Sequence, residues 1–92
     1  MSEPASDPTI QQLRDEIAAI DRTILDDVNT RIELVARIRS HKERNGIAFV
    51  DPDRERELLD ALAAANGGPL SPEGVRELFT FLLALSKREL EP

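Results

Sequence analysis

The chain has 92 residues, which allows one small domain. Hydrophobic residues make up 40% of the sequence, too many for a disordered acidic tail, and the aromatic residues are three Phe without Trp or Tyr. There is no Cys and one His. This composition excludes disulfide frameworks and thiolate-based metal or redox sites, and it disfavours a Ser-His-Asp triad.

The net charge of −6 disfavours nucleic acid and anionic membranes as partners. No apolar run approaches the roughly 20 residues of a membrane span, and the N-terminal residues lack the basic and apolar segments of a signal peptide. We therefore expect a soluble cytoplasmic protein.

Residues 1–8 contain two Pro and two Ser, which predicts a disordered leader before a helical domain at 9–92. Either Asp7 or Thr9 is expected to cap the first helix. From Thr9 to about Asn45 there is no Gly or Pro, and apolar residues recur every three or four positions. This period predicts one long amphipathic helix that stops at Asn45-Gly46.

Two shorter helices follow. Asp51 before Pro52 predicts the start of a helix that runs to about Asn66, and Ser71 before Pro72 predicts the start of a third. The fold class expected is all-α, with three helices in the chain, one of them very long.

The length of the first helix suggests an intertwined homodimer. At 1.5 Å per residue, 37 residues would extend about 55 Å. A compact chain of this size has a radius of gyration of only about 12 Å. The apolar stripe would therefore overhang the other two helices, and a second copy would cover it. A kink that folds the helix in two is the alternative, although no Pro or Gly is there to cause it.

A few charged residues have a spacing that suggests a site. Arg31 and Lys42 are eleven residues apart, so both project from one helix face about 16 Å apart. Arg14 is about 25 Å from Arg31 along the same helix and could reach the same small ligand only from an antiparallel partner chain. The cluster at residues 51–56 would favour an anion, with ordinary helix capping as the alternative. The other charges, Arg39 among them, fit a solvated surface.

These residues together resemble the all-helical chorismate mutases in their short, monofunctional form, over about residues 9–90. The specific part of the resemblance is an ordered set of polar residues at fixed gaps, namely Arg14, Arg31, Lys42, Asp51, Arg54 and Glu55. Weaker matches are the segments at 13–17, 20–21, 31–34 and 58–59, and the pair 78–79 with Ser86 seven residues later.

The resemblance implies a homodimeric enzyme that rearranges chorismate, a dianion, to prephenate in aromatic amino-acid biosynthesis. The step is concerted and uses no cofactor or metal. By position, Arg14 of the partner chain and Arg31 would clamp the carboxylates, and Lys42 would donate to the ether oxygen. Glu55 would accept the ring hydroxyl, assisted by the backbone N–H of Asp51.

Two further contacts and one departure complete the comparison with the family. Arg54 and Ser86 would each support a carboxylate. The family commonly has Gln or Glu four residues after the serine, where this chain has Leu90. Either Glu91 substitutes after a rearrangement, or another group supplies the donor, or the enzyme is weak alone. In the last case the resemblance to short actinobacterial members implies activation by the shikimate-pathway enzyme DAHP synthase.

Other functions stay open at this point. An isochorismate–pyruvate lyase has the same fold, but Glu55 argues against it, because a mutase needs an acceptor for the ring hydroxyl. An aminodeoxychorismate mutase would be expected to alter the segment at 51–53, which keeps its ordinary form. A non-catalytic helical dimerisation or regulatory module is the alternative outside enzymes.

Overall fold

The computed structural model describes residues 7–91 and contains three α-helices there, with no strand in that range. The helices are α1 (Pro8–Arg44), α2 (Pro52–Ala65) and α3 (Pro72–Glu89). The all-α prediction is confirmed, and each helix boundary lies within one residue of its expected place. Residues 1–6, which form most of the predicted leader, lie outside the described residues. Pro8, which we also placed in the leader, is the first residue of α1.

The chain divides into two compact units, residues 1–30 and 31–92. In its described part, the first unit consists of α1 alone. The side chain of Asp7 caps this helix, because its Oδ1 accepts hydrogen bonds from the backbone N–H groups of Thr9 (2.8 Å) and Ile10 (3.1 Å). Of the two expected caps, Asp7 is therefore the one used. The helix continues to Arg44 as one α-helix, so no kink divides it.

The first unit carries an unburied apolar stripe. Its large apolar side chains recur at helical spacing and are all more than half exposed: Leu13, Ile17, Ile20, Ile24 and Leu25. Single exposed apolar residues are common on protein surfaces, but a continuous stripe of this length is typical of an interface. The dimer stays a prediction, and this stripe is the feature that it would explain.

In the second unit, α2 packs against α3. Both helices begin where Pro follows a capping residue. Asp51 Oδ1 accepts from the N–H of Arg54 at 3.1 Å, and Ser71 Oγ accepts from the N–H of Gly74 at 3.0 Å. These caps satisfy N–H groups that have no partner inside the helix. The expected N-caps of α2 and α3 are both confirmed.

Gly46 ends α1 with a left-handed backbone conformation (φ 65°), which glycine adopts without steric cost. The N–H groups of Asn45 and Ile47 both reach back to the carbonyl of Lys42, at 3.2 and 2.9 Å. The chain thereby leaves the helix axis and enters the linker at 47–51, which leads to α2. The predicted stop at Asn45-Gly46 is confirmed.

Burial within the second unit is slight. In the stretch from 7 to 91, only Val75 and Ser86 are buried. Large apolar side chains of the second unit, including Ile38, Leu78 and Phe81, stay about half exposed. None of the helices in this stretch has the length and apolar character needed to cross a membrane.

Replacing Ser71 by Ala should destabilise α3, because the N–H of Gly74 loses its acceptor. We expect the free energy of unfolding to fall by about 1 kcal/mol. Urea denaturation followed by circular dichroism, at one fixed protein concentration, measures the change. Ser71→Asp keeps an acceptor at the cap and is the matched control. A Ser71→Ala variant as stable as the parent chain would contradict the assigned cap.

Candidate active site

A pocket of about 300 Å³ lies in the second unit, where the C-terminal part of α1, the start of α2 and the end of α3 come together. Its volume is at the lower end of the range for small-molecule sites. Six of the seven residues that the sequence marked as site residues line it: Arg31, Lys42, Asp51, Arg54, Glu55 and Ser86. The seventh, Arg14, is exposed and belongs to the first unit.

Arg31 is held in the pocket by Ser86. Its Nη1 donates to Ser86 Oγ at 2.9 Å, and the Ser86 hydroxyl donates in turn to the carbonyl of Leu82 at 2.9 Å. Ser86 is buried, so this pair of hydrogen bonds is shielded from water. An arginine has five N–H donors, and this is the one side-chain hydrogen bond that Arg31 makes to the described residues. The rest of the guanidinium fork can receive a carboxylate.

Lys42 lies about three turns beyond Arg31 on α1 and contacts the linker. Its Nζ donates to the carbonyl of Phe49 at 3.1 Å. An ammonium group has three donors, so this contact anchors the side chain without exhausting it. The arrangement agrees with the eleven-residue spacing, which places both cations on one face of α1.

Glu55 forms an ion pair with a residue that the sequence analysis did not single out. Its Oε1 contacts Nζ of Lys87, which follows Ser86 on α3. Both side chains are largely covered, with 28% of Glu55 and 35% of Lys87 exposed. The signal that could have revealed Lys87 is its period on α3. It lies four residues after Leu83, another residue that lines the pocket.

The start of α2 contributes less directly. The carboxylate of Asp51 is used as the helix cap, so its part in a site is to hold the first turn and its N–H groups in place. Arg54 has an exposed side chain whose Nη1 lies 3.9 Å from Glu57 of the next turn. An exposed pair at this distance holds Arg54 weakly, and its side chain can turn toward an anion in the pocket.

Arg39 was expected to lie on the surface, and that expectation is wrong. Its side chain is partly buried, and its guanidinium lies 5.6 Å from the ring centroid of Phe49. It also donates to the carbonyl of Leu90, the last turn of α3. Arg39 therefore ties α1 to the linker and to the end of α3, two of the three segments that form the pocket.

The end of α3 bears on the missing donor. Leu90 caps the helix, and Glu91 is exposed. Neither residue lines the pocket, whose charged contribution from α3 is Lys87. Among the interpretations of the Leu90 departure, the one in which Glu91 substitutes would need a rearrangement of this end.

The charge of the pocket is opposite to that of the chain. Its lining has four cationic side chains, Arg31, Lys42, Arg54 and Lys87, and two carboxylates, Asp51 and Glu55. The pocket thus has two positive charges in excess, within a chain of net charge −6. Such a local field attracts a small ligand that carries two negative charges.

Comparison with known proteins agrees with this geometry. The sequence profile of the family described as chorismate mutase type II matches residues 13–91. One crystal form of the chorismate mutase from Thermus thermophilus superposes with a TM-score of 0.83 at 37% identity, over 85% of this chain and 98% of that one.

Two curated relatives are also similar. A 4-amino-4-deoxychorismate mutase of Streptomyces venezuelae is 41% identical over 54 residues, which are 59% of this chain and 52% of the relative. A bifunctional chorismate mutase/prephenate dehydratase of Aquifex aeolicus is 32% identical over 87 residues. That match covers 86% of this chain and 24% of the relative. The chain thus spans about half and about a quarter of their lengths. The profile match and the Thermus structure show that this chain belongs to the chorismate mutase type II family.

Proposed function

We propose that this protein catalyses the rearrangement of chorismate to prephenate. One observation carries the proposal, namely that six polar residues from three separate segments line one pocket with two positive charges in excess. Chorismate has two carboxylates, so its charge complements that of the pocket. Membership of the family supports the same reaction.

The reaction needs shape and charge rather than a nucleophile. The substrate must be held in its compact conformer, and negative charge grows on the ether oxygen as the bond to it breaks. Arg31, oriented by Ser86, holds one carboxylate through its guanidinium fork. Lys42 donates to the ether oxygen, and its bond to the Phe49 carbonyl places it before the substrate arrives.

The other end of the substrate would lie against α2. Glu55 accepts a hydrogen bond from the ring hydroxyl, and the backbone N–H of Asp51 supports the same contact. Arg54 turns from Glu57 toward a carboxylate, which offers it a stronger pairing than its exposed partner does.

The proposal includes an intertwined homodimer in which Arg14 of the partner chain completes each pocket. The support is the exposed apolar stripe of the first unit, which a second copy would bury. A groove of about 870 Å³ along the C-terminal part of α1, lined in part by Leu34, Ile38 and Ile47, offers further apolar surface to the same partner. Arg14 is exposed, as a residue that serves another chain would be in the single chain.

Activation by DAHP synthase is also part of the proposal. Its support is that Leu90, at the position of the usual Gln or Glu, offers no side-chain donor, so the single protein would be a weak catalyst. A partner that contacts the end of α3 would act through Arg39, which ties Leu90 to α1 and the linker.

A second candidate reaction is the rearrangement of 4-amino-4-deoxychorismate, in which an amino group replaces the ring hydroxyl. The similarity to the Streptomyces relative named for that substrate favours it. The unaltered segment at 51–53 argues for the hydroxyl substrate. Direct comparison of the two substrates decides between them.

Lys42→Ala should lower kcat for chorismate by about 10²- to 10³-fold, because the growing charge on the ether oxygen loses its donor. Arg31→Ala should lower kcat/KM at least as much, since it removes a carboxylate clamp. The measurement is the loss of chorismate absorbance in the presence of purified protein, alone and with DAHP synthase.

Arg88→Ala is the matched control for these variants. Arg88 is on α3 next to the pocket, but its side chain is exposed and pairs with Glu89. Its activity should equal that of the parent chain. The proposed function is wrong if saturating protein converts no chorismate under either condition. Full activity in both Lys42→Ala and Arg31→Ala would refute the assigned site.

Mixing two inactive variants tests the shared pocket. Arg14→Ala and Lys42→Ala damage different chains of the same site, so a mixed dimer has one pocket with both defects and one intact pocket. After unfolding and refolding together, half of the dimers should be mixed, and the activity should recover to about one quarter of the parent value. Each variant refolded alone should stay inactive. No recovery in the refolded mixture, with dimers verified by sedimentation, would show that Arg14 serves its own chain.

A further inference from the structure

The ion pair between Glu55 and Lys87 joins α2 to α3 inside the pocket. Glu55 is the residue proposed above to receive the ring substituent of the substrate. The proposed reaction gives Lys87 no part, although it is the one residue of the pocket lining that contacts the side chain of Glu55. Both side chains are about one-third exposed or less, so their charges interact more strongly than those of a surface pair.

The charge of Lys87 changes what Glu55 can accept. A carboxylate has about four lone-pair sites, so a bound lysine leaves room for a neutral hydroxyl to donate to it. An amino group on an aliphatic carbon is protonated near neutral pH. Such an ammonium would meet a carboxylate already neutralised by Lys87, and it would be repelled by the lysine charge itself.

We propose that Lys87 is a specificity-determining residue, which selects a ligand with a neutral ring hydroxyl over one with a ring ammonium by compensating the charge of Glu55. The inference rests on the proposed function and names the substrate class within it. Without Lys87, Glu55 would be an unpaired carboxylate among the lining residues and would favour a cationic substituent. The same pocket would then accept the two substituents in the opposite order of preference or with little preference.

The test compares kcat/KM for chorismate and for 4-amino-4-deoxychorismate in the parent chain and in Lys87→Met. Methionine keeps the length and packing of the lysine stem and removes its charge. The ratio of amino to hydroxyl substrate should rise by about tenfold or more, because one unit charge close to the ring substituent is removed. Lys87→Gln serves in the same way if the Met variant does not fold, as judged by circular dichroism.

Two controls separate this role from a structural one. Lys87→Arg retains the charge and should keep the parent ratio, even if it lowers both rates. Arg88→Met removes a charge from the neighbouring exposed position and should leave the ratio unchanged. A loss of packing would change both substrates alike, whereas the role proposed here changes one against the other.

Some outcomes would overturn the inference. An unchanged ratio in Lys87→Met, or an equal rise in Arg88→Met, would show that Lys87 does not select the substituent. If the parent chain converts neither substrate, calorimetric titration with the two compounds provides the same ratio from their Kd values. Conversion of chorismate with an unchanged ratio refutes the role of Lys87 alone. Failure to bind either compound refutes the proposed function and the inference together.

Discussion

The pocket depends on the hydrogen bond from Arg31 to Ser86, which ties α1 to α3. Ser86 is one of two buried residues between positions 7 and 91, and its hydroxyl returns the bond to the backbone of its own helix. A buried polar pair of this kind is costly to break, because either partner would be left without water or a replacement. The cation is therefore presented to the pocket in one orientation rather than several.

The remaining cations are held by the same principle, since most have a partner that places them. Lys42 donates to the linker carbonyl at Phe49, and Lys87 pairs with Glu55. Long charged side chains lose much conformational entropy when a ligand orders them, and fixing them in advance reduces that cost. An acidic chain thereby gathers an excess of positive charge at one place, which suits a small dianion and disfavours long polyanions.

Apolar burial plays an unusually small part within the described chain. The stripe on the first unit and residues such as Ile38 and Phe81 stay exposed, although α1 has the periodicity of a helix that packs against a partner. Local rules, namely caps, Pro at the first turn and Gly46 at the stop, are satisfied throughout. The chain is therefore locally complete, while its apolar surface calls for further contacts, which is the physical basis of the proposed dimer.

The amino-acid sequence by itself determined the three helices, their ends and six residues of the pocket. Helical period, capping chemistry and the gaps between Arg31, Lys42 and the start of α2 are local properties, so they can be read along the chain. Only the tertiary structure decided the partners of Glu55 and Arg39. Lys87 and Leu90 lie 32 and 51 residues away from them along the chain. Ion pairs and side-chain hydrogen bonds across helices depend on which helix faces meet and on rotamers, and neither is encoded in the spacing of residues on one helix.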